Sequence, residues 1–333
     1  MQIFWKKTFA PVVSLYFVLL CCVLLCGILF SSVSLANSKF VAITAIVEHP
    51  ALDSVRQGVE DELKENGYIE GKNLKLRYQS AQGSSANAAQ IAKQFVAAKP
   101  DVIVGIATPS TQALAATTKQ IPIVFTAVTD PVAAKLTSSW DASKTNITGV
   151  SDAVSLEAQI DVMQKIKPNV KTIGYVYSPS EINSTIILKK LHAILDEKGI
   201  KIIAVPAQRT SDIPTAAKSL RGKVDLIYTT TDNNVVSAYE ALAKVANESK
   251  LPLIASDPDL ARRGAVAGLG MSYYSLGRQA GKIVIRILNG EQPGDIPPQV
   301  GEIVQLAINT QAAERQGINL SPEVIDMAVE VIK

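Results

Sequence analysis

The feature that most constrains this chain is an alternation, run through twice, of short β-branched segments and longer stretches whose apolar residues recur at helical spacing. Residues 40–47 read as a strand, 52–66 as a helix, 74–79 as a strand and 85–98 as a helix; a strand at 102–106, a helix from Ser110 and a strand at 121–126 complete a first series. After Gly149 the pattern restarts with a helix from Ser155, strands at 172–177, 202–205, 226–230 and 253–255, and helices at 181–198 and 234–248. Strands separated by helices pair in parallel through crossovers, so the pattern predicts βαβ units. Near-continuous apolar strands such as Val102-Ile103-Val104 suit sheets covered on both faces. Lys99-Pro100-Asp101-Val102-Ile103 is echoed by Lys223-Val224-Asp225-Leu226-Ile227, and Gln120-Ile121-Pro122-Ile123 by Lys250-Leu251-Pro252-Leu253. The expected fold class is α/β, with two similar three-layer lobes built on mostly parallel sheets.

With 333 residues the chain exceeds what one hydrophobic core usually serves. One lobe is expected from residues 37–149 plus 265–298 and the other from 150–264 plus 299–333. The small-residue strand Gly264–Gly270 and the following helix, Ser275–Leu288, are thus placed with the first lobe. Crossings near Gly149, Gly264 and Gln299 would join the lobes by several segments, which permits hinge closure while restricting twist.

Residues 1–36 read as an export signal. Lys6 and Lys7 precede an uncharged, mostly apolar run from Phe9 to Phe30, and Ser34 and Ala36 supply a small-x-small cleavage pair. The run is also long enough to span a bilayer as a retained anchor. Cys21, Cys22 and Cys26 all fall within it, so the exported body would hold no disulfide and no thiolate metal site. The residues before them, Leu20, Cys21 and Leu25, are not the small residue a lipid-modified cysteine wants. A soluble periplasmic protein is therefore expected rather than a lipid-anchored one, and 33 Lys+Arg against 30 Asp+Glu leave no basic excess for nucleic acid.

Catalytic signatures are sparse. Only His49 and His192 are present, and no GxGxxG opening a helix, GxxxxGK[ST], GxSxG or HExxH occurs. Glu48-His49 at the first strand exit is the one acid/base pair on offer, and a metal there lacks partner ligands. No cofactor is expected. The informative residues follow the strands at their carboxyl ends, where open α/β sheets bind ligands. These loops carry Thr108, Ser110 and Thr111; Thr129 and Asp130; Ser178, Ser180, Asn183 and Ser184; Asp232 and Asn233; and Asp257. A helix starting at such a loop offers unpaired N–H groups and a positive dipole end to a carboxylate, while an acid across the cleft would neutralise an ammonium. Helix capping and turn formation explain the same residue types one at a time; several on one cleft describe a site for a zwitterion. A sugar would want more aromatic faces and bidentate groups than Trp140, Tyr177, Tyr273-Tyr274 and Arg262-Arg263 supply.

These segments resemble the substrate-binding proteins of ABC importers, in the group that includes tryptophan- and tyrosine-binding members. The resemblance runs from about Val41 to Gly290. It rests on Ile46-Val47-Glu48-His49-Pro50-Ala51-Leu52-Asp53, Gly67-Tyr68-Ile69-Glu70-Gly71-Lys72-Asn73-Leu74, the segment Pro122 to Pro131, Asn146-Ile147-Thr148-Gly149-Val150-Ser151-Asp152, Thr231-Asp232-Asn233 and Tyr273 to Gln279. It implies a type I periplasmic-binding fold, no catalysis, a monomer that captures a small hydrophobic or aromatic amino acid, and delivery to a membrane permease with its ATPase. A sensory ligand-binding protein of the same fold, or an importer component for a sugar or other small polar solute, are the alternatives. The implied ligand contacts are His49 and the loop residues above.

Overall fold

The computed structural model describes residues 38–333, and the export signal expected in residues 1–36 lies outside them. Among the described residues, thirteen strands form two sheets. The first joins β1 (Lys39–Ala45), β2 (Leu74–Ser80), β3 (Val102–Ile106), β4 (Ile123–Val128), β5 (Ile147–Ser151) and β11 (Gln299–Val300) in the order β11-β5-β4-β3-β1-β2. All of its pairings are parallel. The second contains β6 (Thr172–Tyr177), β7 (Lys201–Pro206), β8 (Leu226–Thr229), β9 (Leu253–Ala255), β10 (Ala267–Met271), β12 (Val304–Asn309) and β13 (Glu330–Ile332), ordered β13-β12-β10-β9-β8-β6-β7. Its one antiparallel pairing is β10 with β12.

Alternation along the second sheet builds its two faces. Tyr175, Tyr228 and Ile254 point into a core with the helices Leu156–Ile166 and Ile182–Glu197, whereas Val176, Ile227 and Leu253 point into a separate core under Ile213–Lys218 and Tyr239–Ser249. Three layers follow from that period of two, because each face of a buried parallel strand needs its own helical cover.

One boundary differs from expectation. The strand β10 lies in the second sheet, paired in parallel with β9 through Ala267 and Ile254, and not with the first lobe. The connection through residues 256–266 is a short crossover that returns the chain beside the strand it has just left. Gly268 and Gly270 make this fit possible, since a Cβ at either would collide with the backbone of Asp257 or Ser256. The helix that follows, Tyr273–Leu288, does join the first lobe, where Leu276, Ala280 and Val284 enter its core. The chain thus crosses between lobes after Ser151, at Ser272 and just past Val300.

Helix Tyr273–Leu288 crosses helix Pro50–Glu65 at very short range: a Cβ on Gly277 would strike the Val55 carbonyl, and one on Gly281 would lie 2.6 Å from the Glu62 Cβ. Gly277→Ala is expected to cost about 1–3 kcal/mol by overpacking, read as a lowered midpoint in urea unfolding with an unchanged slope.

Candidate ligand-binding cleft

The carboxyl ends of the two sheets face each other across a narrow cavity. From the first lobe His49, Ala107, Thr108, Ala127 and Tyr273 line it, together with Asp152 at the first crossing; from the second come Asn183, Thr230, Thr231, Asn233 and Asp257. A second, roomier compartment adjoins it, sharing Asp152, Thr230 and Thr231.

Backbone strain is concentrated on the first-lobe wall. Ala107 and Ala127 both hold positive φ, 71° and 53°, a conformation non-glycine residues rarely adopt. Ala127 sits at a register break in β4, which swings the backbone into the cleft. At Ala107, the N-cap of helix Thr108–Thr117, no side chain caps the helix, so its first turn opens on the cavity with N–H groups available to a ligand. Pro109 contributes none, leaving those of Thr108 and Ser110, and the hydroxyls of both residues are buried without a partner.

His49 serves two purposes at once. Its Nδ1 caps helix Pro50–Glu65 by accepting the Leu52 N–H at 3.4 Å, and its ring lines the cavity. Burial, aided by the Arg263 charge from the second lobe, holds its pKa down at about 4, so the ring is neutral near pH 7. The acids are displaced the other way. Burial raises Asp257 to about 8, with Asp259 adding repulsion, while its Oδ1 accepts the Asp259 N–H at 2.9 Å in a tight turn. Burial likewise raises Asp152 to about 6 against the pull of Thr129 and Tyr273; the Tyr273 hydroxyl donates to Oδ2 at 3.2 Å and Oδ1 has no partner. Carboxyls so placed are unfavourable as anions until a cation arrives.

Asn183 and Asn233 are held in the cavity wall by Glu181. Its Oε2 accepts from the Asn183 amide at 3.0 Å and from the Asn233 amide and backbone N–H at 2.6 and 3.1 Å. Burial first, then the Asp232 charge, push the Glu181 carboxyl above the usual carboxylate range.

Of the residues singled out by sequence, His49, Thr108, Asn183, Asn233 and Asp257 therefore meet in one cavity, and Thr129 lines the adjoining compartment. Others are engaged elsewhere. Asp232 caps helix Asn233–Ser237 and accepts the backbone N–H and hydroxyl of Ser178, so those two stitch the loop together. Thr111 donates its hydroxyl to the Gly105 and Ala107 carbonyls, Ser184 accepts from the Tyr175 hydroxyl, and Ser180 is exposed. Asp130 stands at the rim, where Oδ1 caps the Ala133 N–H and Oδ2 pairs with Lys190 of the other lobe at 2.8 Å. Beside it the Thr129 and Thr231 hydroxyls bond across the gap at 2.8 Å. Sequence reasoning missed Asp152, Thr230, Thr231 and Glu181 as site residues. Asp152 was findable as a carboxylate directly after a strand, the same signal that picked out Asp257.

The rim ion pair is half-exposed, which limits its worth to about 0.2–1 kcal/mol. Lys190→Met is expected to speed ligand dissociation about two- to fivefold in low salt and less in high salt, as read by stopped-flow fluorescence.

Residues 40–332 match the family model described as ABC transporter substrate binding protein. The chain belongs to this family. It is thus a solute-binding component of an ABC transporter, and such components act outside the cytoplasm. Over 273 residues, 82% of this chain and 79% of the relative, it is 38% identical to the tyrosine-binding protein of Clostridioides difficile (strain R20291). A crystal structure of an ABC domain in complex with L-Trp from Streptococcus pneumonia superposes with a TM-score of 0.85 at 32% identity, covering 89% of this chain and 100% of that one. The ligand-free, open structure of a substrate binding protein with adhesive properties from Clostridium difficile gives 0.67 at 34% identity, covering 89% and 99%. At nearly equal identity the Trp-bound relative fits far better than the open one, so the lobes of this solute-binding protein are arranged more as in the former, with Thr129 and Thr231 in contact across the gap. Its sheets and lobes share the type I periplasmic-binding fold with more distant solute-binding proteins.

Proposed function

We propose that this solute-binding protein captures an aromatic amino acid as a zwitterion between its lobes, in the periplasm after removal of the export signal, and hands it to a membrane permease driven by an ATPase. The observation that carries this reading is the polarity of the closed cavity: an uncapped helix start at Thr108 on one wall, and two buried carboxyls, Asp152 and Asp257, on the others. The helix start suits a carboxylate and the acids suit an ammonium, each in a site from which water is excluded. His49, neutral and adjacent, adds no competing charge. Relatives that bind tyrosine and L-Trp support the aromatic class. The ligand contacts on this reading are His49, Thr108, Ser110, Asp152, Asn183, Asn233 and Asp257, with Thr129 and Asp130 acting in closure.

On this reading the groups described in the cleft act as binding groups. Calorimetric titration of refolded, ligand-free protein with the twenty amino acids tests the proposal. Saturable heat with one or more aromatic members is expected; no heat with any of the twenty would sink it.

A further inference from the structure

The two compartments of the cleft differ in character. The first is lined mainly by charged, amide and hydroxyl groups, whereas the second brings Val154, Leu156, Ile187 and Tyr228 together with polar groups that include Gln159, Lys190 and Thr230. Asp152 borders both, so an amino acid whose ammonium lies against that carboxyl has its Cα at the junction and its side chain directed into the second compartment. Within that compartment nearly every polar group is already engaged. Gln159 accepts from the Tyr228 hydroxyl and donates to the Leu269 carbonyl, and Thr129 and Thr231 bond to each other.

Two polar groups there have no partner: the Asp152 Oδ1, which faces the ligand ammonium on this reading, and the hydroxyl of Ser256. Ser256 is only 8% exposed and lines the compartment, and its buried hydroxyl has no hydrogen-bond partner. Its backbone is fixed on two sides: the N–H donates to the Thr229 carbonyl at 2.9 Å, and the carbonyl packs against Gly270, where a Cβ would collide with it. The sheet thus fixes the Ser256 backbone, and its hydroxyl is left with an unmet hydrogen bond in a chamber that Leu156, Ile187 and Tyr228 also line. An isolated buried hydroxyl is unfavourable unless something pairs with it.

We propose that Ser256 is the specificity-determining residue for the ligand side chain, accepting a hydrogen bond from the O–H or N–H at the tip of an aromatic ring and so favouring tyrosine or tryptophan over phenylalanine. This rests on the amino-acid reading of the cleft given above. A site built to pair with a polar tip rejects the analogue lacking it, because its own group then stays unpaired.

The test is calorimetry on wild-type protein with tyrosine, phenylalanine, tryptophan and 1-methyltryptophan, then on Ser256→Ala. Wild type is expected to bind the donor-bearing member of at least one pair, tyrosine over phenylalanine or tryptophan over its N-methyl form, on the order of tenfold more tightly. The pair that shows the preference tells which ring the chamber fits. Ser256→Ala should bring that ratio to within about twofold while phenylalanine affinity stays near its wild-type value. Equal wild-type affinities within both pairs, or a preference that survives in Ser256→Ala, would overturn the assignment. The wild-type ratios stand even if the variant fails to fold, and silence toward all four ligands contradicts the amino-acid reading itself as well as the role of Ser256.

Discussion

Asp257→Asn is expected to weaken binding of an aromatic amino acid by roughly 10²–10³-fold while leaving the fold in place. Asparagine keeps the oxygen that accepts the Asp259 N–H, so the turn at the end of β9 survives. What is lost is the negative charge that meets the ligand ammonium inside a closed cavity, and truncating one partner of such a buried pair costs about 2–5 kcal/mol. A second consequence separates this account from a simple loss of contact. In the closed, ligand-free form Asp257 is pushed up to about 8 by burial, so closing on an empty cavity means either stranding an anion or taking up a proton. That cost favours the open form until an ammonium enters, and it is how the ligand acquires a differential affinity for the closed state. In Asp257→Asn the cost disappears, and ligand-free protein should close more often. Calorimetry reads the first effect and the distance between spin labels on the two lobes reads the second. Affinity within threefold of wild type, or an unchanged distance distribution, would count against the role given to Asp257.

The second large effect is a loss of affinity in acid, driven by His49. In the closed form burial and the Arg263 charge depress its pKa from 6.5 to about 4. An open, hydrated cleft relieves both, because Arg263 belongs to the opposite lobe. The closed form therefore binds the His49 proton less tightly than the open form, and closure below pH 6.5 must expel it. Affinity is expected to be level between pH 6.5 and 8, then to fall by up to about tenfold per unit as pH drops from 6.5 toward 4, for a total on the order of 10²-fold. His49→Asn retains a good N-cap for helix Pro50–Glu65 and should flatten the acid limb. A wild-type profile that is level down to pH 4.5, or an acid limb that persists in His49→Asn, would contradict this assignment.

The sheets were legible in the sequence because each strand is a short β-branched run and each helix a longer periodic one, signals that survive without tertiary context. The allotment of Gly264–Gly270 was not legible. A run of small residues fits either sheet, and the deciding fact is that Gly268 and Gly270 let β10 press against the backbone of Ser256 and Asp257, a contact between segments distant in pattern though near in sequence. Likewise the helix expected at 234–248 is broken, with separate helices Asn233–Ser237 and Tyr239–Ser249 meeting at Ala238. Sequence also found the loops of the site while misjudging which member of each loop faces the ligand. Asp232, Ser178, Thr111 and Ser184 have the chemistry of ligand contacts, but short hydrogen bonds to their own loops consume it. Only the direction of each side chain distinguishes these from Asn233, Asn183 and Thr108, and spacing along the chain does not encode that direction.

The central claim is the orientation of a zwitterion between the lobes, and a crystal structure of the protein refolded with an aromatic amino acid tests it most directly. The account predicts the carboxylate on the N–H groups at the start of helix Thr108–Thr117 and the ammonium between Asp152 and Asp257. A ligand bound with its carboxylate toward Asp257, or seated outside the space between the lobes, would contradict it.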